Sequence, residues 1–180
     1  MSSSKAINDP LVDELLRVHG EIAVRDNASY VTVKQSAVLG KDFFSAIASG
    51  LLTLGGLHAP LSQTCQFLRL DDCKPYMEIV LSTGGRVPGW GSSFVKGEPD
   101  PIFEQLDRML VPYPIHARIQ YVTGFLQGRE LDIFPNASAY TSAVVVARGL
   151  QDSAAAYLLL KGRLDAWSAA FMKHENHLIR

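Results

Sequence analysis

Phe43, Ile47, Leu51 and Leu54, in the stretch KDFFSAIASGLLTLGG, recur at the three- and four-residue intervals of one helix face. Between them Ala46, Ala48, Ser49 and Gly50 are small enough for a second helix to lie close. A segment built this way predicts a helix packed on other helices, and the rest of the chain offers the partners. DPLVDELLRVHG opens with Asp9 as an N-cap and Pro10 at the first helical position; Leu11, Leu15 and Val18 form its stripe, and Gly20 supplies a stop. DPIFEQLDRML repeats the device with Asp100 and Pro101, and places Ile102, Leu106, Met109 and Leu110 on one face. PYPIHARIQYVTGFLQG predicts a further helix ending at Gly128. Residues 139–160 are rich in Ala, Val and Leu, and RLDAWSAAFMKHE closes the fold. SYVTV and YMEIVL read as strands when taken alone, but neither belongs to a regular alternating series. The fold class expected is therefore all-α and multihelical.

With 180 residues the chain is expected to form one helical domain over residues 10–180, preceded by a flexible polar arm, residues 1–9. Its composition, 47% hydrophobic and 19% charged, is that of a globular protein with some surface covered by a partner. Seventeen basic residues stand against eighteen acidic ones with no block of like charge, which argues against a nucleic-acid footprint. No apolar run approaches the ~18 residues of a membrane helix. No signal peptide is visible in MSSSKAINDP, so a cytoplasmic location is expected. Cys65 and Cys73 read as free thiols.

One loop stands apart. GGRVPGWGSSFVKGEPDP, residues 84–101, packs five glycines and three prolines into eighteen residues, a backbone shaped to approach something closely. The side chains at its centre are only the hydroxyls of Ser92 and Ser93. GWGSS lacks the strand and the downstream partners of a hydrolase nucleophile elbow. GLLTLGG lacks the Lys-Ser/Thr pair of a phosphate loop. Of the five histidines, His19, His116, His174 and His177 have ordinary structural readings, and none is spaced for a metal site. His58 differs: it follows two glycines and precedes a proline in LTLGGLHAPLSQ, where a helix is interrupted and freed backbone groups can orient the ring and fix its tautomer. A structural ring and a functional ring both fit that position. The tripeptide NAS, at Asn27 and Asn136, reads as a helix start.

Several segments, in order, resemble the citrate synthase superfamily, including its shorter citryl-CoA lyase-type members. NASYVTVKQSAVLGKDFFSAIASGLLTLGGLHAPLSQ resembles that family's NAS, small-residue helix and G-x-LHGG run. VPGWGSSFVKGEPDP resembles its GFGH-x-V-x-K-x-x-DPR loop, IFPNASAYTSAVV its PNVDFYSA, and GRLDAWSAAFMKHENHLIR its closing R-x-x-GW-x-AH…R-x-RP. The match runs over roughly residues 20–180. It implies a citrate synthase-like helical fold trimmed at its N-terminus.

The resemblance also implies site roles. In these enzymes a carboxylate removes a proton beside an acyl-CoA thioester, histidines polarise the two carbonyls, and arginines clamp the acceptor's carboxylates. His58 matches the thioester-side histidine. The second histidine falls at Ser92, the carboxylate base at Ser138, a further histidine near Val24, and the arginine of DPR at Ile102. Arg163 and Arg180 match carboxylate-binding arginines, while Gly89, Gly91 and Lys96 match the loop that meets coenzyme A. Hydroxyls thus replace proton-moving groups. The expected protein is a binding or interaction module for a CoA ester or carboxylate, needing no cofactor or metal. It is expected to form a homodimer or higher homo-oligomer, with a possible protein partner for the arm. The small residues Ala46, Ala48, Ser49 and Gly50 and the Ala-rich 143–156 segment are its candidate contacts. The alternative is an active lyase or acyltransferase in which Asp100, Glu98 or Asp132 stands in as base.

Overall fold

The structure, a computed structural model, describes residues 9–25, 28–54, 60–91 and 95–175. Among them nine α-helices and no strand occur: α1 (Pro10–Ala23), α2 (Ala28–Val38), α3 (Phe43–Leu52), α4 (Leu61–Leu68), α5 (Lys74–Ser82), α6 (Glu104–Leu110), α7 (Pro114–Gln127), α8 (Ala137–Ala147) and α9 (Ser153–Glu175). A 3-10 turn, Pro101–Phe103, leads into α6. The chain is all-α.

The caps expected at Asp9 and Asp100 are in place: Asp9 is extended and accepts from the amides of Leu11 and Val12, and Asp100 accepts from Ile102. Asp42, not singled out in the sequence, caps α3 by accepting from Ser45. Asp9 also pairs with Arg148 at 2.6 Å, tying the start of α1 to the end of α8.

Gly20 is not a stop. α1 runs through it to Ala23, because the glycine faces α9. A Cβ at Gly20 would lie 3.4 Å from the carbonyl oxygen of Gly162, and one at Gly162 only 2.5 Å from the His19 Cβ and 3.0 Å from the Leu16 carbonyl. Two interior glycines, each costing about 1 kcal/mol of helix propensity, are used to bring two helices into backbone contact. The SYVTV segment lies in α2, where Ser29, Val33 and Ala37 recur every fourth residue and are buried. YMEIVL lies in α5, of which only Met77 is buried. Both are cases of packing overriding β propensity.

α8 is the centre: eight consecutive residues, Ser138–Val145, are buried, so the helix is enclosed on all sides. Around it α1, α4, α6, α7 and the first half of α9 bury the larger core, including Leu15, Val18, Leu106, Ile119, Val144 and Leu158. A second, smaller core forms where α2 and α3 pack on the far half of α9 around Trp167 and Phe171. α9 spans both cores, with a length of about 34 Å for its 23 residues. Ala46 and Gly50 face inward within the chain: a Cβ at Gly50 would sit 2.5 Å from the Val33 side chain. Ala143, Val144 and Val145 are likewise enclosed by their own chain. No helix of the described residues is long and apolar enough to cross a membrane.

The two crossing glycines are not equivalent. Gly162→Ala is expected to destabilise by about 1–3 kcal/mol through overpacking. Gly20→Ala should be neutral or stabilising by up to about 1 kcal/mol. Urea unfolding of both variants decides the matter.

Candidate functional site

Two segments far apart in sequence meet beneath the N-terminus of α8. Trp90 and Pro135 form an antiparallel bridge. The Gly91 amide donates to the Phe134 carbonyl at 2.9 Å, and the Asn136 amide to the Gly89 carbonyl at 2.9 Å. The Asn136 side chain works in both directions. Its Nδ2 donates to the Gly91 carbonyl at 2.6 Å, while its Oδ1 caps α8 by accepting from the amides of Ser138 and Ala139. Gly89 and Gly91 hold left-handed backbone, φ 87° and 95°. At Gly89 a side chain would also collide, since a Cβ would lie 2.7 Å from the Thr64 methyl and 3.1 Å from the Ala139 Cα. Trp90 anchors the loop from below, buried edge-on against Phe67, with its indole N–H on the Thr123 hydroxyl at 3.0 Å. At the loop's other end, both oxygens of Asp100 engage the two terminal nitrogens of Arg25.

The second half of the site is a set of buried polar groups where α1, α2, α8 and α9 converge. Arg163 lies on α9 between the two apolar cores and is 8% exposed. Its Nη1 is 3.4 Å from the Ser29 hydroxyl, and its Nε has no partner. Among the described residues no carboxylate pairs with it. Burial pushes its pKa down to about 10, which still leaves a cation at neutral pH.

His19, wholly buried on α1, has its Nε2 2.8 Å from the Thr141 hydroxyl. That hydroxyl donates its single proton to the Ala137 carbonyl at 2.6 Å, so it must accept from the ring. Nε2 therefore carries the proton, and Nδ1 is left as a buried acceptor with no partner. Burial first, and the charge of Arg163 second, push the His19 pKa down to about 3, so the ring stays neutral. Ser138 is 5% exposed, one turn before Thr141.

Of the residues singled out in the sequence, the structure thus joins Gly89, Gly91 and Ser138 through Asn136, and encloses Arg163. Lys96 is exposed, Ile102 is half-buried, and Val24 faces solvent at 55% exposure. His58, Ser92 and Arg180 lie outside the described residues. Of the substitute acids, Asp100 pairs with Arg25, and Glu98 and Asp132 are exposed. His19, Thr141 and Ser29 were not anticipated. Reading Gly20 as a stop hid the fact that His19 lies four residues after Leu15 on the buried face of α1.

No known family profile and no curated protein matches the sequence. Solved structures do match. Citryl-CoA lyase from Hydrogenobacter thermophilus superposes with a TM-score of 0.74 at 18% identity, over 93% of this chain and 70% of that one. Citrate synthase from Thermotoga maritima MSB8 superposes with a TM-score of 0.76 at 20% identity, over 91% of this chain and 48% of that one. This chain has the citrate synthase-like fold. The D541A variant of Methanosaeta concilii ATP citrate lyase, in complex with (3S)-citryl-CoA, carries the same fold at a TM-score of 0.77 and 13% identity; 94% of this chain covers 32% of that protein. The chain is thus shorter than all three, and at such identities the shared property is the fold. Within the citrate synthase-like fold, the buried cation and the glycine loop stitched to α8 are features of this chain's own residues.

The neutral buried ring has a pH signature. Its folded pKa of about 3 lies below the ordinary 6.5, so the unfolded chain binds the extra proton. The stability it supports is complete above pH 6.5 and is lost as pH falls toward 3. His19→Gln keeps an N–H for Thr141 and does not titrate. Its loss of unfolding free energy between pH 7 and 4.5 should be smaller than wild type's by on the order of 2 kcal/mol, as read by urea titration at the two pH values.

Proposed function

We propose that this chain is a binding module of the citrate synthase-like fold, holding a carboxylate or a CoA ester without transforming it. The observation that carries this reading is Arg163, a buried guanidinium with no carboxylate partner among the described residues. Burying a charge is costly unless it is paired, and a protein keeps such a group where something else supplies the opposite charge. A carboxylate accepts two parallel N–H bonds from a guanidinium fork, which suits a di- or tricarboxylate such as citrate. Support for a CoA ester comes from the glycines of the 84–97 loop and from the neighbouring fold solved with (3S)-citryl-CoA.

The missing reaction is argued from Ser138 and Ser92, which stand where the resemblance puts the carboxylate base and a histidine. A serine hydroxyl has no useful basicity near neutral pH, and each general acid–base group is worth about 10²–10⁴-fold in rate. An enzyme with rearranged residues needs another base, and Asp100, the nearest candidate by sequence, is held in its ion pair with Arg25.

The test separates binding from structure. Citrate at 100 times its dissociation constant should stabilise the folded chain by about 2.7 kcal/mol. Arg163→Leu should abolish that shift while leaving the unliganded protein as stable as wild type or more so, because an unpaired buried cation has been removed. A variant markedly less stable than wild type would make Arg163 a structural residue. Turnover of citryl-CoA, lost on His58→Ala, would refute the binding-only reading.

A further inference from the structure

A groove of about 320 Å³ opens on the solvent side of the crossing between α1 and α9. That volume lies at the lower end of the range for small-molecule sites, roughly 300–1,000 Å³. Half-buried Leu16, Gly20, Gly162 and Ala166 line it, with Arg17, Lys161 and Asp165 at exposed positions around them. The fold explains the glycine at 162 but not the one at 20. A Cβ at Gly20 would meet only the Gly162 carbonyl oxygen, at 3.4 Å, an ordinary contact. An alanine would therefore fit, and would recover about 1 kcal/mol of helix propensity. What the missing side chain leaves open is the groove.

The charges at the groove are unequal in what they can offer. Arg17 is spent within α1: its Nε and Nη2 donate to Glu14 at 2.9 and 2.6 Å, and its Nη1 to Glu21. Lys161 and Asp165 stand one turn apart on α9, the spacing at which a cation and an anion usually meet. Yet among the described residues neither forms an ion pair, with the other or with anything else.

We propose that this groove binds a free α-amino acid with an apolar side chain. Lys161 takes the carboxylate and Asp165 the ammonium. One helical turn sets their Cβ atoms about 5–6 Å apart, which suits two opposite charges carried on a single carbon. An anion alone would be repelled by Asp165 and a cation alone by Lys161, so the pair selects a zwitterion. The apolar side chain then lies over Gly20 and Gly162, between Leu16 and Ala166, in the space that a Cβ at position 20 would take. The site stands independently of the carboxylate reading, since neither Lys161 nor Asp165 belongs to the buried group around Arg163.

Isothermal titration of the full chain with L-leucine should show one saturable site with a dissociation constant of about 1 mM or tighter. N-acetyl-leucine lacks the ammonium and leucinamide the carboxylate, so each should bind the wild-type chain about fivefold more weakly or worse. Substitution crosses with this series. Lys161→Gln should no longer distinguish leucine from leucinamide, and Asp165→Asn should no longer distinguish leucine from N-acetyl-leucine. Gly20→Ala should weaken leucine binding while leaving the fold as stable as wild type or more so. Lys173→Gln, two turns beyond Asp165 on α9, should change nothing. No binding of leucine at 10 mM overturns the proposal. So does equal binding of the two blocked derivatives by the wild-type chain, a reading that needs no variant to fold. Binding that survives both Lys161→Gln and Asp165→Asn, or that Gly20→Ala leaves unchanged, overturns it as well.

Discussion

The contact between α1 and α9 at Gly162 is the constraint on which the arrangement depends. With no side chain at that point, the α9 backbone can lie against His19 and the Leu16 carbonyl, and the next residue along α9 is Arg163. Backbone proximity therefore sets a cation beside a neutral imidazole in a region from which water is excluded. The same crossing lets one long helix serve two apolar cores, with the charged residue at the seam between them. A larger residue at 162 would push the helices apart, and the loosened seam would let solvent reach the guanidinium and screen its charge.

The helical fold was legible because capping and spacing act locally. Asp9–Pro10 and Asp100–Pro101 open their helices as their chemistry demands, and the inward face of α3 follows from Ala46, Ile47 and Gly50. What misled was a residue with two uses. Glycine ends helices and also lets helices touch, and nothing near Gly20 in sequence separates those roles; the deciding neighbour, Gly162, is 142 positions away. α4 and α5 were missed for a related reason. They are short, and Met77 alone is buried in α5, so no stripe is long enough to register. The glycine loop and the PNAS segment could be singled out separately, but their union through Asn136 could not. It depends on hydrogen bonds across 45 residues.

The site's polar groups divide by what they can do. The Thr141 hydroxyl gives its proton to the helix and accepts one from His19, and the ring is held neutral by burial. None of these three described groups, Thr141, His19 and Arg163, is a useful base near neutral pH. The site has a strong fixed charge and a rigid backbone turn. Those are properties that hold an anion equally well before and after a reaction, and equal holding lowers no barrier. The proposed reading, binding without turnover, rests on the kind of groups enclosed rather than on their number.

Rigidity supports the same proposal from the other side of the site. Trp90 is locked by Phe67 and Thr123, and Asn136 ties both flanking glycines to the first turn of α8. Asp100 closes the far end of the loop by gripping Arg25, at the exit of α1. The loop is therefore fastened at two points to the helices that also carry His19 and Ser138. The loop glycines then matter less for motion than for clearance, since at Gly89 the backbone passes α8 too closely for any side chain.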